Sequence, residues 1–168
     1  MKSKTRIECE NSVIDFSKTI TDNIKTGKVL YVGIAGDPIG GEYSPLFSNF
    51  NITTFDYDYK WKPDVVGDIT NTNFKDECWD IIICVQVIEH IPNIFYLGKE
   101  LKRILKRGGY VIIDCPWNYP YHAEEPSFKD YWRISKDGMM ELFKNDFNII
   151  KISAGENNTS CLLKKDII

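Results

Sequence analysis

Two groups of residues in this sequence have the types and spacing to do chemistry. The first is Gly33, Ala35 and Gly36, which follow the apolar run Val29–Val32, together with Asp56, which ends a second apolar run 23 residues beyond Gly33. Small residues after a buried strand let a ligand approach the backbone, because no Cβ stands in the way. An acid at the end of the neighbouring parallel strand suits the vicinal hydroxyls of a ribose, since one carboxylate accepts two hydrogen bonds at once. The chemistry implied is binding of an adenosine-containing cofactor. The plain alternative is a strand-to-loop turn with a solvated acid behind it, and Asp58 is a rival two positions on. The second group lies in the loop Cys115–Arg133, where His122, Glu124, Glu125, Asp130, Tyr131, Trp132 and Arg133 combine aromatic surface with charge. Tyr131 and Arg133 are candidates for holding a small molecule. His122 is the candidate base for a hydroxyl, because an unperturbed imidazole titrates near neutrality. The competing reading is that Trp132 and Arg133 only dock the loop.

These residues need elements to place them. Val13, Phe16, Ile20 and Ile24 recur every three or four positions, which predicts an amphipathic helix over 10–25, stopped by Gly27. Strand one follows, then a mostly irregular stretch over 37–49 with a helical turn near 45–50, strand two over Ile52–Phe55 and a brief third strand over Asp64–Val66. The connector 71–77 has no room for a helix. Asp80–Val85 reads DIIICV, apolar without alternation, as in a strand buried on both faces at the centre of a parallel sheet. A helix is predicted over 92–106, with Pro92 in its first turn and Gly108-Gly109 as its stop. Its Lys99, Lys102, Arg103, Lys106 and Arg107 form a solvated face, the last of them complementing the helix dipole. Strand five is Tyr110–Asp114. After the long loop, Ser135 caps a helix through Phe143. Phe147–Ile152 and Cys161–Lys164 close the chain as a hairpin around the polar turn Gly155–Thr159, and so must run antiparallel.

The 168 residues, 43% of them hydrophobic, suit a single domain over 1–168 with a real core. A net charge of −3 and a pI near 5.4 argue against nucleic acid held by bulk electrostatics. Five scattered cysteines without a C-x-x-C fit reduced thiols in a cytoplasmic protein, with neither a disulfide frame nor a zinc site, and no metal is expected. The N-terminus has no apolar core for a signal peptide, and no run reaches membrane-spanning length, so no membrane partner is expected.

Three blocks give the chain a family resemblance: VLYVGIAGD (29–37), WDIIICVQVIEHIP (79–92) and LKRILKRGGYVIIDCP (101–116). In this order and spacing they resemble the class I S-adenosylmethionine-dependent methyltransferases, and the terminal hairpin is also a feature of that family. The resemblance implies a Rossmann-like α/β fold: a seven-stranded, mostly parallel sheet with helices on both faces and a C-terminal antiparallel hairpin. It implies S-adenosylmethionine as cofactor and a small-molecule acceptor of the methyl group. Position by position, Gly33, Ala35 and Gly36 would approach the methionine part, and Asp56 with its neighbour Tyr57 would hold the ribose. Asp68 would accept from the adenine amino group with Ile69 against the ring, and Cys84 and Val85 would offer backbone near the sulfonium. Glu89 and His90 would contact substrate or serve only the loop's structure. Tyr31 stands where the family has an acid, and Ala35 where it has a second glycine; Tyr31 compensates only if its ring points into the ligand crevice. Two alternatives accompany this reading: a nicotinamide-dependent oxidoreductase, and a non-catalytic member that binds cofactor or a partner.

Overall fold

The run DIIICV becomes β4 (Trp79–Val85), at the middle of a seven-stranded sheet in the order β3-β2-β1-β4-β5-β7-β6. The structure, a computed structural model, describes residues 3–34, 43–124 and 126–167. The other strands are β1 (Gly27–Val32), β2 (Phe50–Asp56), β3 (Val65–Val66), β5 (Leu105–Pro116), β6 (Asn148–Ala154) and β7 (Asn158–Lys164). Strands β1 to β5 pair in parallel, and β7 enters antiparallel between β5 and β6, as the short polar turn requires.

Alternation along the central strands sorts side chains onto two cores. Val29, Tyr31, Ile81, Ile83 and Ile112 face α1 (Lys4–Asn23), which presents Cys9, Val13, Phe16 and Ile20. Leu30, Val32, Ile82, Cys84, Val111 and Ile113 face α2 (Leu97–Ile104) and α3 (Lys136–Phe143). Helix α1 begins earlier than its apolar stripe suggests, because Ser3 caps it by accepting from the Arg6 amide. Ser135 caps α3 in the same way, as expected. Among the described residues the connections from β1 to β2 and from β2 to β3 hold only the 3-10 turns Ser44–Phe47 and Tyr59–Trp61.

The helix expected over 92–106 is shorter. A 3-10 turn, Ile94–Tyr96, leads into α2, which ends at Ile104. There the amides of Glu77 and Cys78 satisfy the last-turn carbonyls of Arg103 and Ile104, both at 2.9 Å. Leu105 is already extended and pairs with Trp79. Gly108-Gly109 is therefore not a helix stop but lies within β5, at the irregularity where its register against β4 shifts. A Cβ on Gly109 would sit 2.7 Å from the Asp80 carbonyl, so only glycine lets the two strands close there. The basic residues expected on one solvated helix face are mostly ion-paired: Arg103 with Glu100 and Asp76, Lys102 with Asp146, Lys106 with Asp80 and Arg107 with Glu77. Lys106 and Arg107 lie in β5, so they do not complement the helix dipole. No helix among the described residues is long and apolar enough to cross a membrane.

Candidate functional site at the carboxyl edge of the sheet

Strands β2 and β3 lie to one side of β1, and the chain then crosses to β4 on the other. In an open α/β sheet such a reversal leaves a crevice at the carboxyl ends of the two strands, where ligands bind. Gly33 stands at that end with φ +78°, and a Cβ there would fall 2.2 Å from Val87 Cγ2. The residue type is thus fixed twice, by a left-handed backbone and by close approach. Its amide donates to the Phe55 carbonyl at 2.8 Å, tying the turn to β2. Asp56, nearly buried, accepts from the Ile34 amide through Oδ2 (2.8 Å) and from the Asp58 amide through Oδ1 (2.9 Å). Asp58 instead caps a 3-10 turn by accepting from the Lys60 amide and pairs with the Lys60 ammonium at 3.8 Å. Geometry therefore separates the two rivals: Asp56 faces the glycine turn and Asp58 serves its own loop.

The remaining cofactor candidates spread along the same edge. Tyr57 is 75% exposed. Asp68, beyond β3, accepts from the Thr70 amide and hydroxyl at 2.8 and 2.7 Å, while Ile69 beside it is buried. Cys84 and Val85 end β4 and are buried, and burial pushes the Cys84 thiol well above its ordinary pKa. Ala35 and Gly36 lie outside the described residues. Tyr31 does not point into the crevice: its side chain joins the core under α1 and stacks on Tyr43 with ring centroids 6.5 Å apart. It sits at an odd position of β1, whose odd positions all face α1, so it cannot stand in for the missing acid.

The acceptor-side candidates, far apart in sequence, meet in one cluster. Glu89 has no exposed surface, and neither carboxylate oxygen has a hydrogen-bond partner among the described residues. Its Oε1 lies 3.7 Å from His90 Nε2 and 3.9 Å from His122 Nε2. Burial, reinforced by the charges of Asp114 and Asp130, pushes the Glu89 carboxyl up to about 8. Burial holds His90 below its ordinary value, which favours the neutral ring. The backbone carbonyl of Glu89 accepts from the amides of Tyr131 (2.8 Å) and Trp132 (3.3 Å), and Trp132 Nε1 donates to the Ile91 carbonyl. Arg133 spends every N–H of its guanidinium on the loop: Nε on the Tyr119 carbonyl, Nη1 on Asp130 Oδ1 and the Trp132 carbonyl, Nη2 on Asp130 Oδ2 and the Pro120 carbonyl. Tyr131 is 46% exposed beside this knot. Trp132 and Arg133 thus dock the loop, and the docking brings His122 beside Glu89.

Sequence reasoning missed Asp114 and Gln86. Asp114 ends the apolar run of β5 as Asp56 ends that of β2, a signal that was available. It is fully buried, accepting from Gln86 Nε2, Asn158 Nδ2 (3.2 Å) and Ser160 Oγ (2.5 Å). Gln86 takes φ +56° at the end of β4, held by its amide's bond to the Asp114 carbonyl. A surface groove of about 640 Å³ bordered by Glu77, Lys102 and Arg107 lies at the opposite end of β5, away from this chemistry.

The sequence matches the methyltransferase domain family model over residues 46–113. An uncharacterized methyltransferase of Mycobacterium leprae is 34% identical over 59 residues, 34% of this chain and 22% of that protein. An uncharacterized protein of Methanocaldococcus jannaschii is 30% identical over 87 residues, 51% of this chain and 38% of that one. These matches therefore take in well under half the length of either curated relative. Among solved structures, a protein of Pyrococcus horikoshii superposes with a TM-score of 0.68 at 18% identity, covering 94% of this chain and 91% of that one. A phosphoethanolamine N-methyltransferase of Haemonchus contortus, in complex with S-adenosyl-L-methionine, gives 0.69 at 17% identity, covering 93% and 52%. The family match spans β2 to β5, and the likeness of fold to these solved structures extends over nearly the whole chain. The chain is thus similar to the methyltransferase domain family over residues 46–113 and shares its fold with these solved structures.

Proposed function

We propose that this protein transfers a methyl group from S-adenosylmethionine to a small-molecule acceptor, releasing S-adenosylhomocysteine. The observation that carries the reading is the pairing of Gly33, where a Cβ would clash, with Asp56 on the adjacent strand end. The residues suit the cofactor: backbone at the Gly33 turn for the methionine part, Asp56 for the ribose hydroxyls, Asp68 and Ile69 for the adenine, and the ends of β1 and β4 near the sulfonium. The donor supplies a methyl carbon already activated by positive sulfur. The protein's task is then to hold the acceptor in line and exclude water. Glu89, His90 and Tyr131 would line the acceptor side, with His122 Nε2 as base for a hydroxyl acceptor and Arg133 fixing the loop that carries it. A nicotinamide-dependent oxidoreductase would share the glycine turn and ribose acid, but such sheets usually continue with parallel strands, whereas β7 here runs antiparallel.

Thermal shift with S-adenosylmethionine, S-adenosylhomocysteine, NAD and NADP tests the class, because a ligand that binds only the folded state must raise the melting temperature. Stabilisation by the two S-adenosyl compounds alone is expected. Calorimetry with Asp56→Ala is expected to show S-adenosylhomocysteine affinity lower by about 2–4 kcal/mol, the loss of two hydrogen bonds to a charged group with incomplete additivity. Unchanged affinity in a folded Asp56→Ala protein would remove Asp56 from the site. Stabilisation by NAD alone would replace the methyltransferase reading with the oxidoreductase one.

A further inference from the structure

We infer that Glu89, His90 and His122 form a binding site for one divalent first-row transition-metal ion. Their three ligand atoms lie within 4.8 Å of one another, and each can donate an electron pair. The tautomers follow from the surroundings. His90 Nδ1 lies 2.6 Å from the Lys129 carbonyl, which only accepts, so the proton is on Nδ1 and Nε2 carries a lone pair. His122 Nδ1 faces the Pro120 carbonyl at 3.3 Å and Asp130 Oδ2 at 3.1 Å, again two acceptors. Arg133 Nη2 is also 3.3 Å from that nitrogen, but both its hydrogens are already directed to Asp130 and Pro120 at 2.6 and 2.8 Å. His122 Nε2 is therefore bare too.

Two imidazole lone pairs thus lie beside a buried carboxylate oxygen that accepts no hydrogen bond from any other described residue. Left so, three acceptors repel one another in a low-dielectric pocket, at a cost that a positive occupant removes. A proton on Glu89 is a poor substitute, because oxygen-to-nitrogen distances of 3.7 and 3.9 Å are too long for a hydrogen bond. A metal ion bonded at about 2.0–2.2 Å to each donor needs the three to draw together by only a few tenths of an ångström. The outer contacts also match those of metal-bound histidines, whose second ring nitrogen usually donates to a carbonyl or carboxylate. A set of two imidazoles and one carboxylate selects first-row transition ions such as Zn2+, Mn2+ or Fe2+ over Mg2+ or Ca2+, which prefer all-oxygen shells. Three protein ligands leave coordination positions open to an acceptor's oxygen. In the loaded protein His122 is a ligand, so a role as base belongs to the metal-free protein.

The inference stands on the cluster's geometry and needs no methyl transfer, so its test contains no S-adenosyl compound. Chelator-treated protein is titrated with Co2+ and followed by visible absorption, with Zn2+ as competitor. One equivalent of Co2+ is expected to bind at micromolar concentration and to be displaced by Zn2+. Glu89→Gln, which keeps the side chain's size, and His122→Ala are each expected to weaken binding at least tenfold, with folding checked by melting. No saturable uptake below millimolar Co2+ by the folded parent overturns the proposal. So does uptake unchanged by both variants, or a thiolate charge-transfer band placing the ion on a cysteine.

Discussion

Arg133→Ala is expected to destabilise the protein by about 2–4 kcal/mol at pH 7, a fall of roughly 5–12 °C in melting temperature for a chain of this size. Asp130 has a side chain only 1% exposed, and Arg133 grips it at 2.5 and 2.6 Å. Truncating the arginine leaves a buried carboxylate with its partner gone, and also orphans the carbonyls of Tyr119, Pro120 and Trp132. The Arg133 hydrogen bonds hold the Asp130 carboxyl down at about 2, from an ordinary 3.8. A depressed acid contributes stability that is complete above its unfolded pKa and disappears as pH falls through its folded one. The parent should therefore lose about 2 kcal/mol between pH 4 and pH 2 from this group, and Arg133→Ala should lose much less over the same range. Arg133→Lys keeps the charge but offers a point donor in place of a fork, so its stability should fall between the two. Urea melts at pH 7, 4 and 2 check all three expectations. A change below about 0.5 kcal/mol in Arg133→Ala at pH 7 would show that the loop is held by Trp132 and the backbone alone.

The sheet was legible because its signals are local. A run such as DIIICV has few alternatives to a buried central strand, and a turn as short as Gly155–Thr159 fixes antiparallel pairing. The boundary of α2 was not legible, since helix periodicity continues through Leu105 and only the partner strand, through Trp79, draws that residue into β5. The crevice was half legible: Asp56 reaches the glycine turn through the Ile34 amide, but only the pleat shows Tyr31 turning towards α1. The cluster of Glu89, His90 and His122 could be nominated residue by residue and not assembled. Its convergence depends on Arg133 folding the loop, a set of bonds to backbone carbonyls that leaves no trace in residue types. Asp114 shows the same limit from the other side, since the residues that surround it, Asn158 and Ser160, come from a strand some forty-five positions away.

Asp114→Asn is expected to make the protein more stable at pH 7 by about 1–3 kcal/mol, and to leave it nearly unchanged at pH 4. Burial raises the Asp114 carboxyl to about 6 even though Ser160, Gln86 and Cys9 bond to it. An acid whose folded pKa lies above its unfolded one favours the protonated native state. A penalty therefore builds as pH rises from about 4 to about 6, and is complete above that, at roughly 1.4 kcal/mol for each tenfold difference in proton affinity. Asparagine removes the charge and keeps the shape. Its oxygen still accepts from Gln86 Nε2 and Asn158 Nδ2, and its amide can donate to the Ser160 oxygen, so the loss is confined to the bonds that the Ser160 proton and the Cys9 thiol give the carboxylate. Stability measured against pH should then be flat from 4 to 7 relative to the parent, which declines. A variant less stable than the parent at pH 7 would mean that the anion is needed by its donors. The more informative result joins stability to function, because Asp114 holds Gln86, at φ +56° on the rim of the crevice beside Val87 and Gly33. A variant that gains stability but binds S-adenosylhomocysteine more weakly would show that the buried charge is retained to set the geometry of the β4 end, at a standing cost to the fold.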